Sequence, residues 1–233
     1  MSAVFKREFK NYFSSPLGYV VLASLFFFSG IFFTMIYSYG FGDISYVFSS
    51  MFTIIMFAVP ILTMRLISEE LKQKTDQALL TAPVSITGIV MGKFFAALAI
   101  FGIGFAPTLI YQLIFAANLS LNWLLYLSTL LGVLLYGAAL ISIGLFISSL
   151  TESQVVSAVL GIVVSMLIAL MDGFSSMISN SFIAGFVEKL SFMGRFESFA
   201  AGIFDFSNVI FFLSVCAVFI FLTVRALEKK RWA

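Results

Sequence analysis

Six stretches of this 233-residue chain stay apolar for the length that a bilayer crossing demands. A spanning helix needs about 20 consecutive, mostly apolar residues. Such runs cover about 17–39, 45–66, 87–117, 121–149, 154–171 and 206–227. Backbone polar groups in lipid must be satisfied inside the protein, so runs of this kind predict membrane-spanning helices. The expected fold is all-α integral membrane, one domain over residues 1–233. Composition agrees: 61% of residues are hydrophobic and only 10% charged. Soluble domains carry about 25% charged residues. An ordinary soluble enzyme, a nucleic-acid-binding domain and a disordered chain are excluded, and no nucleic-acid partner is expected.

The bases fix an orientation. With six crossings both termini share a side. On that side lie Lys6, Arg7, Lys10, Arg65, Lys72, Lys74, Lys93, Arg225, Lys229, Lys230 and Arg231; only Lys189 and Arg195 fall on the other. The positive-inside rule then predicts a multi-pass protein of the cytoplasmic (inner) membrane with both termini cytoplasmic. The acidic residues divide almost evenly, as expected of groups that contribute little to topology. The first apolar run is too long for a signal-peptide core and lacks a small-residue cleavage site, so it reads as an uncleaved first span.

Three segments outside the spans carry pattern. Residues 3–14 read as an amphipathic interfacial helix: Phe5, Phe9, Tyr12 and Phe13 recur at helical spacing, with Lys6, Arg7 and Lys10 mainly on the other side. Such a helix lies with its aromatics in the acyl boundary and its cations at lipid headgroups. Ser14-Ser15-Pro16 ends it. The loop 68–86 is the one substantial cytoplasmic loop. Ser68 reads as a helix cap with Glu69 and Glu70 in the first turn, and Pro83 as a stop. Residues 172–205 are glycine-punctuated and amphipathic, with no uncharged stretch of spanning length. They predict short re-entrant helices around 174–184 and 186–200, carrying Glu188, Arg195 and Glu197. Arg195 is expected to pair with Glu197 or Glu188, because charges at this depth are costly alone.

Chemistry of its own is missing. Without His and with one Cys, the chain has no ligands for an imidazole or thiolate metal site. No catalytic base, nucleophile elbow or carboxylate pair stands out. The nearest approach to a phosphate loop, Gly88 to Lys93, is one residue short and is followed by Phe94; Gly88 and Gly92 read better as a small-residue packing face. The Phe-rich spans read as lipid-facing bulk and Cys216 as packing. The chain is therefore expected to be no enzyme, and a partner must supply energy for any transport.

Pro60 to Glu70, Lys74-Thr75, Leu79 to Ser85 and Gly92-Lys93, with the opening Phe9 to Pro16 and the tail Phe192 to Trp232, resemble the type 2 ATP-binding-cassette (ABC) permeases. The likeness is greatest to the branch with the gliding-motility permease and the permease of nitrous-oxide reductase maturation. One departure is Lys74-Thr75-Asp76-Gln77, where Gly-Thr-hydrophobe-Glu is usual. The resemblance implies six spans, an N-terminal interfacial helix (Phe5, Lys6, Arg7, Phe9) and short re-entrant helices between spans five and six. It implies a coupling element facing the ATPase at Glu69, Glu70, Lys72, Lys74, Asp76 and Pro83. Spans one, two and five, with the outer hairpin, become candidates for the pathway and dimer interface. Implied partners are a nucleotide-binding subunit holding ATP and Mg, a second permease subunit (identical or not), membrane lipid and an accessory extracytoplasmic protein. The expected function is the permease of an ATP-driven exporter. The competing readings are a secondary transporter or channel without an ATPase, a lipid-acting membrane enzyme, and a subunit that transmits force without cargo.

Overall fold

The computed structural model describes residues 1–40, 43–74, 85–118, 122–174 and 190–232. Among them there are helices and no strands. In chain order these are α1 (Ser2–Ser14), α2 (Pro16–Ser38), α3 (Ser45–Thr63), α4 (Ser68–Gln73), α5 (Ile86–Gly104), α6 (Pro107–Asn118), α7 (Trp123–Leu150), α8 (Gln154–Phe174), α9 (Phe192–Ala200) and α10 (Phe206–Trp232). Among the described residues, six helical stretches are long and apolar enough to cross a membrane.

α7 is the axis. Its span is 72% buried, against 22%, 17% and 22% for the first, fifth and sixth spans. α3, α5, α8, α9 and α10 all pack against it. The outer spans keep wide apolar faces, as lipid requires. The Phe content is not only lipid-facing bulk: Phe48, Phe101, Phe105, Phe196, Phe199 and Phe212 are wholly buried. Phe52 sits edge-on between Tyr136 and Phe196, at centroid distances of 4.6 and 4.4 Å. Offset and edge-to-face ring pairs add to burial.

The third apolar run is not one helix. Pro107 lacks the N–H that would bond back into α5, so the chain passes residues 105–106 through tight turns. The Phe105 and Ala106 amides reach Gly102 and Ile103 three residues back, and the Thr108 hydroxyl closes on the Phe105 carbonyl at 2.6 Å. α6 restarts from there.

Ser15 takes an extended conformation between α1 and α2, and Pro16 occupies the first position of α2, where its missing N–H costs nothing. The elbow is close. A Cβ on Gly18 would collide with the Tyr12 carbonyl group. α1 folds back along α5, and a Cβ on Gly92 would meet Val4 at 3.0 Å. Gly92, one of the two glycines of the small-residue face expected there, thus receives α1.

Of the outer hairpin, α9 is described; 175–189, with Glu188 and the turn expected at Gly185, lie outside the described residues. α9 begins at Phe192, later than expected. Ser191 caps it, its hydroxyl accepting from the Gly194 amide at 2.8 Å. Phe192, Phe196 and Phe199 are buried against the bundle. Arg195 donates to Asn208 Oδ1 at 2.9 Å and lies 4.1 Å above the Phe211 ring. Both of these contacts are with α10; the expected alternative partner Glu188 lies outside the described residues.

Candidate functional site

α3 ends at Thr63, residues 64–67 form a turn, and α4 starts at Ser68. A helix stop and a helix start with four residues between them leave carbonyls and amides without intrahelical partners. Buried, these must be satisfied elsewhere. Three other helices supply the partners.

Tyr12 of α1 donates to the Leu62 carbonyl at 2.8 Å. Ser148 of α7 accepts from the Ile67 and Ser68 amides at 3.1 and 3.0 Å and donates to the Met64 carbonyl at 3.1 Å. Lys93 of α5 donates to the Leu66 carbonyl at 2.6 Å. A cation at a helix C-terminus also meets the negative end of the helix dipole.

Lys93 is 2% exposed, and its ammonium has two further neighbours: Glu8 Oε1 at 3.2 Å and Glu70 Oε1 at 2.9 Å. Three oxygens meet three N–H donors. Both carboxylates are also held by Arg7, whose Nη2 lies 2.6 Å from Glu8 and 2.8 Å from Glu70. Arg7, Glu8, Lys93 and Glu70 therefore close a ring of alternating charge with no net charge. α1 contributes two corners, α4 one and α5 one, and the turn after α3 adds its carbonyl. Arg65 closes the side of the cleft, donating to the Asn11 carbonyl at 3.3 Å and lying 5.5 Å from the Tyr12 ring centroid. The cleft has a volume of about 500 Å³, with Glu69 and Gln73 at its edge.

Burial alone would push the Glu8 carboxyl up; Lys93 and Arg7 outweigh it and hold it below its ordinary value of 4.5. Burial likewise works against the Arg7 charge, and Glu8 and Glu70 more than offset it. Burial pushes the Tyr12 phenol well up, so its hydroxyl remains a donor. The ring is a fixed electrostatic clamp.

The family model for ABC-2 family transporter proteins matches residues 3–232. The chain belongs to this family. Among curated proteins, none matches it significantly. The match contains every helix that builds the ring. An ABC-2 protein is a membrane-transport component, so the chain is a multi-pass permease subunit of an ABC transporter, in a family that associates with nucleotide-binding subunits.

In this permease the residues singled out in the sequence separate. Glu69 and Glu70 are not equivalent. Glu70 turns inward to the ring, whereas Glu69 is partly exposed beside Gln73, whose amide lies 3.4 Å away. Lys72 and Lys74 are exposed; Asp76 and Pro83 lie outside the described residues. On α1, Arg7 belongs to the ring, Lys6 is exposed, and Phe5 and Phe9 stack at 5.7 Å. Tyr12 is not an interfacial aromatic: it is 2% exposed and bonded to α3. Ser68 does not cap α4. Its hydroxyl donates back to the Met64 carbonyl, and Ser148 serves the amides instead. Nothing in the sequence alone marks Glu8, Tyr12, Arg65 or Ser148 as site residues. Lys93 carried the one usable signal, a lone base entering an apolar run.

Lys74 ends α4 at φ +55°, a left-handed conformation that costs a side-chain-bearing residue roughly 1–2 kcal/mol. Glycine, usual here in the resembling family, has no such cost. Lys74→Gly should raise the thermal midpoint of the purified permease; an unchanged or lower midpoint would contradict this geometry.

The Glu8 shift sets an acid limit. Its folded value lies below its unfolded one, so its contribution is complete at neutral pH, starts to fall near 4.5 and is lost as pH drops through the folded value. The stability gap between the wild type and Glu8→Gln should therefore be wide at neutral pH and close below about 4.5. A pH-independent gap would remove the carboxylate from the clamp.

Proposed function

We propose that this permease serves an ATP-driven exporter, and that α4 with the segment following it receives the stroke of a nucleotide-binding subunit. ATP and Mg belong to that subunit. The observation carrying this reading is the charge ring. It joins the short helix between spans two and three to α1, to the end of α3 and to the start of α5, so a push on α4 moves three elements together. Glu69, Lys72 and Lys74 form the exposed face offered to the ATPase. Glu70 passes the movement inward. Asp76 and Pro83 complete the coupling element.

The same reading places the basic end of the bundle in the cytoplasm of an inner membrane, with α1 at the interface. The exposed faces of the first and fifth spans fit a second permease subunit, identical or homologous, and the α9 end fits an accessory extracytoplasmic protein. The sequence pattern favours the gliding-motility and nitrous-oxide-maturation branch, and an amphipathic or lipid-like cargo.

The test is affinity purification of the tagged permease together with its nucleotide-binding subunit. Lys72→Glu combined with Lys74→Glu should abolish stoichiometric recovery of the ATPase while the permease inserts normally. Glu70→Gln should retain the ATPase and uncouple its hydrolysis from transport. Full recovery and full coupling in both variants would refute the reading.

A further inference from the structure

A second feature lies on the other side of α1. Between α1, α5, α7 and α10 runs an open apolar groove of about 1350 Å³. Small residues make it deep: Ala99 and Gly102 on α5, Ala138 on α7, and Cys216 and Ala217 on α10 all face it. Where larger side chains would meet across the gap, these leave space. Phe94, Phe95, Leu134 and Leu213 form walls around that floor.

Polarity within the groove is graded. Its hydroxyls, Ser2 and Thr87, both lie at the basic end, and beyond them the lining is apolar down to Cys216. Two bases flank the same end. Lys6 is exposed, adjacent to the lining residue Phe5 and one turn from Ser2. The Arg225 guanidinium lies 5.1 Å from the centroid of Phe221, another lining residue. Arg225 bonds Glu228 at 2.8 Å, which uses part of a five-donor fork. Glu8, the acid nearest in sequence on α1, is locked into the ring.

The length also fits. Thr87 and Gly102 are fifteen residues apart, about 22 Å of helix, enough to cover one leaflet of hydrocarbon, about 15 Å thick, with the headgroup beyond it. We infer that the groove binds an anionic phospholipid from the surrounding bilayer, with an acyl chain along the small-residue floor and the phosphate at Lys6 and Arg225. The lipid then braces α1 from the face opposite the charge ring. This inference requires that the chain sits in a bilayer and is independent of the ATPase reading.

Cys216, the only cysteine in the chain, reports on the groove. The permease, delipidated in a mild neutral detergent, is supplied with equal amounts of phosphatidylglycerol and phosphatidylcholine. Retained lipid is counted by native mass spectrometry, and maleimide modification of Cys216 is timed with each lipid alone. Phosphatidylglycerol should be retained over phosphatidylcholine on the order of tenfold, the scale expected of two bases near an anionic headgroup, and should slow the modification. Ala217→Phe, which fills the floor, should abolish retention. Lys6→Gln with Arg225→Gln changes only exposed side chains; it should keep the protection of Cys216 and lose the preference between lipids. Equal retention of the two lipids by the wild type would overturn the inference. So would an unchanged preference in the neutralised variant, or a modification rate indifferent to lipid.

Discussion

Lys93→Met should destabilise the permease by about 3–5 kcal/mol, the usual cost of removing one partner from a buried ion pair. The substitution keeps most of the side-chain volume but removes the ammonium that Glu8 and Glu70 share, leaving both carboxylates on Arg7. It also strips the Leu66 carbonyl of its donor. Electrostatics and packing are separable. In Lys93→Met combined with Glu8→Gln, one cation again balances one carboxylate, so much of the loss should return, although the cavity is unchanged. Reversible unfolding by steric trapping gives both values. A loss below about 1 kcal/mol for the single variant would class the ring with solvent-screened surface pairs.

The second large effect comes from a single methyl group. In Gly18→Ala the new Cβ would collide with the Tyr12 carbonyl, which is backbone and cannot rotate away. α1 must lift or α2 must shift, and overpacking of this kind costs about 1–3 kcal/mol. Gly30→Ala in the same helix is the control. There the nearest atom is the Tyr111 hydroxyl at 3.5 Å, an ordinary contact, and alanine gains up to about 1 kcal/mol of helix propensity over glycine. The two variants should move stability in opposite directions. Because Tyr12 and the ring both depend on where α1 lies, Gly18→Ala should also make α1 accessible to protease. Equal effects at the two glycines would mean that the elbow is looser than its geometry.

The crossings were legible because a run of apolar residues beyond about 20 has one physical solution in lipid. Within such a run hydropathy is blind. The restart at Pro107 interrupts a continuous apolar stretch, so the broken third span registered only as extra length. The site was harder to read for a different reason. Glu8 sits among Lys6, Arg7, Phe9 and Lys10 and reads as one charge on a solvated face; its partner Lys93 is 85 residues away. Glu69 and Glu70 are neighbours in a six-residue helix, and periodicity cannot say which of them turns inward until the neighbouring helices are in place. Ser68 carries the residue type and position of a cap. The turn before it is so tight that its hydroxyl bonds back to Met64, and the capping role falls to Ser148, eighty residues on. Helix capping by a distant side chain leaves no local signature.

If the ring makes α1, α4 and the start of α5 one mechanical unit, the distance between α1 and α4 must stay fixed while the unit moves. Spin labels at the exposed positions Lys10 and Lys72, in a Cys216→Ser background, report that distance in the assembled transporter by pulsed electron resonance. A second pair, at Lys72 and at Tyr39 at the far end of α2, reports movement of the unit against the bundle. On adding ATP the first distance should hold and the second should change; with Lys93→Met added, the first should change as well. A Lys10–Lys72 distance that shifts with ATP in the wild type as much as in the Lys93→Met variant would contradict the coupling role of the ring.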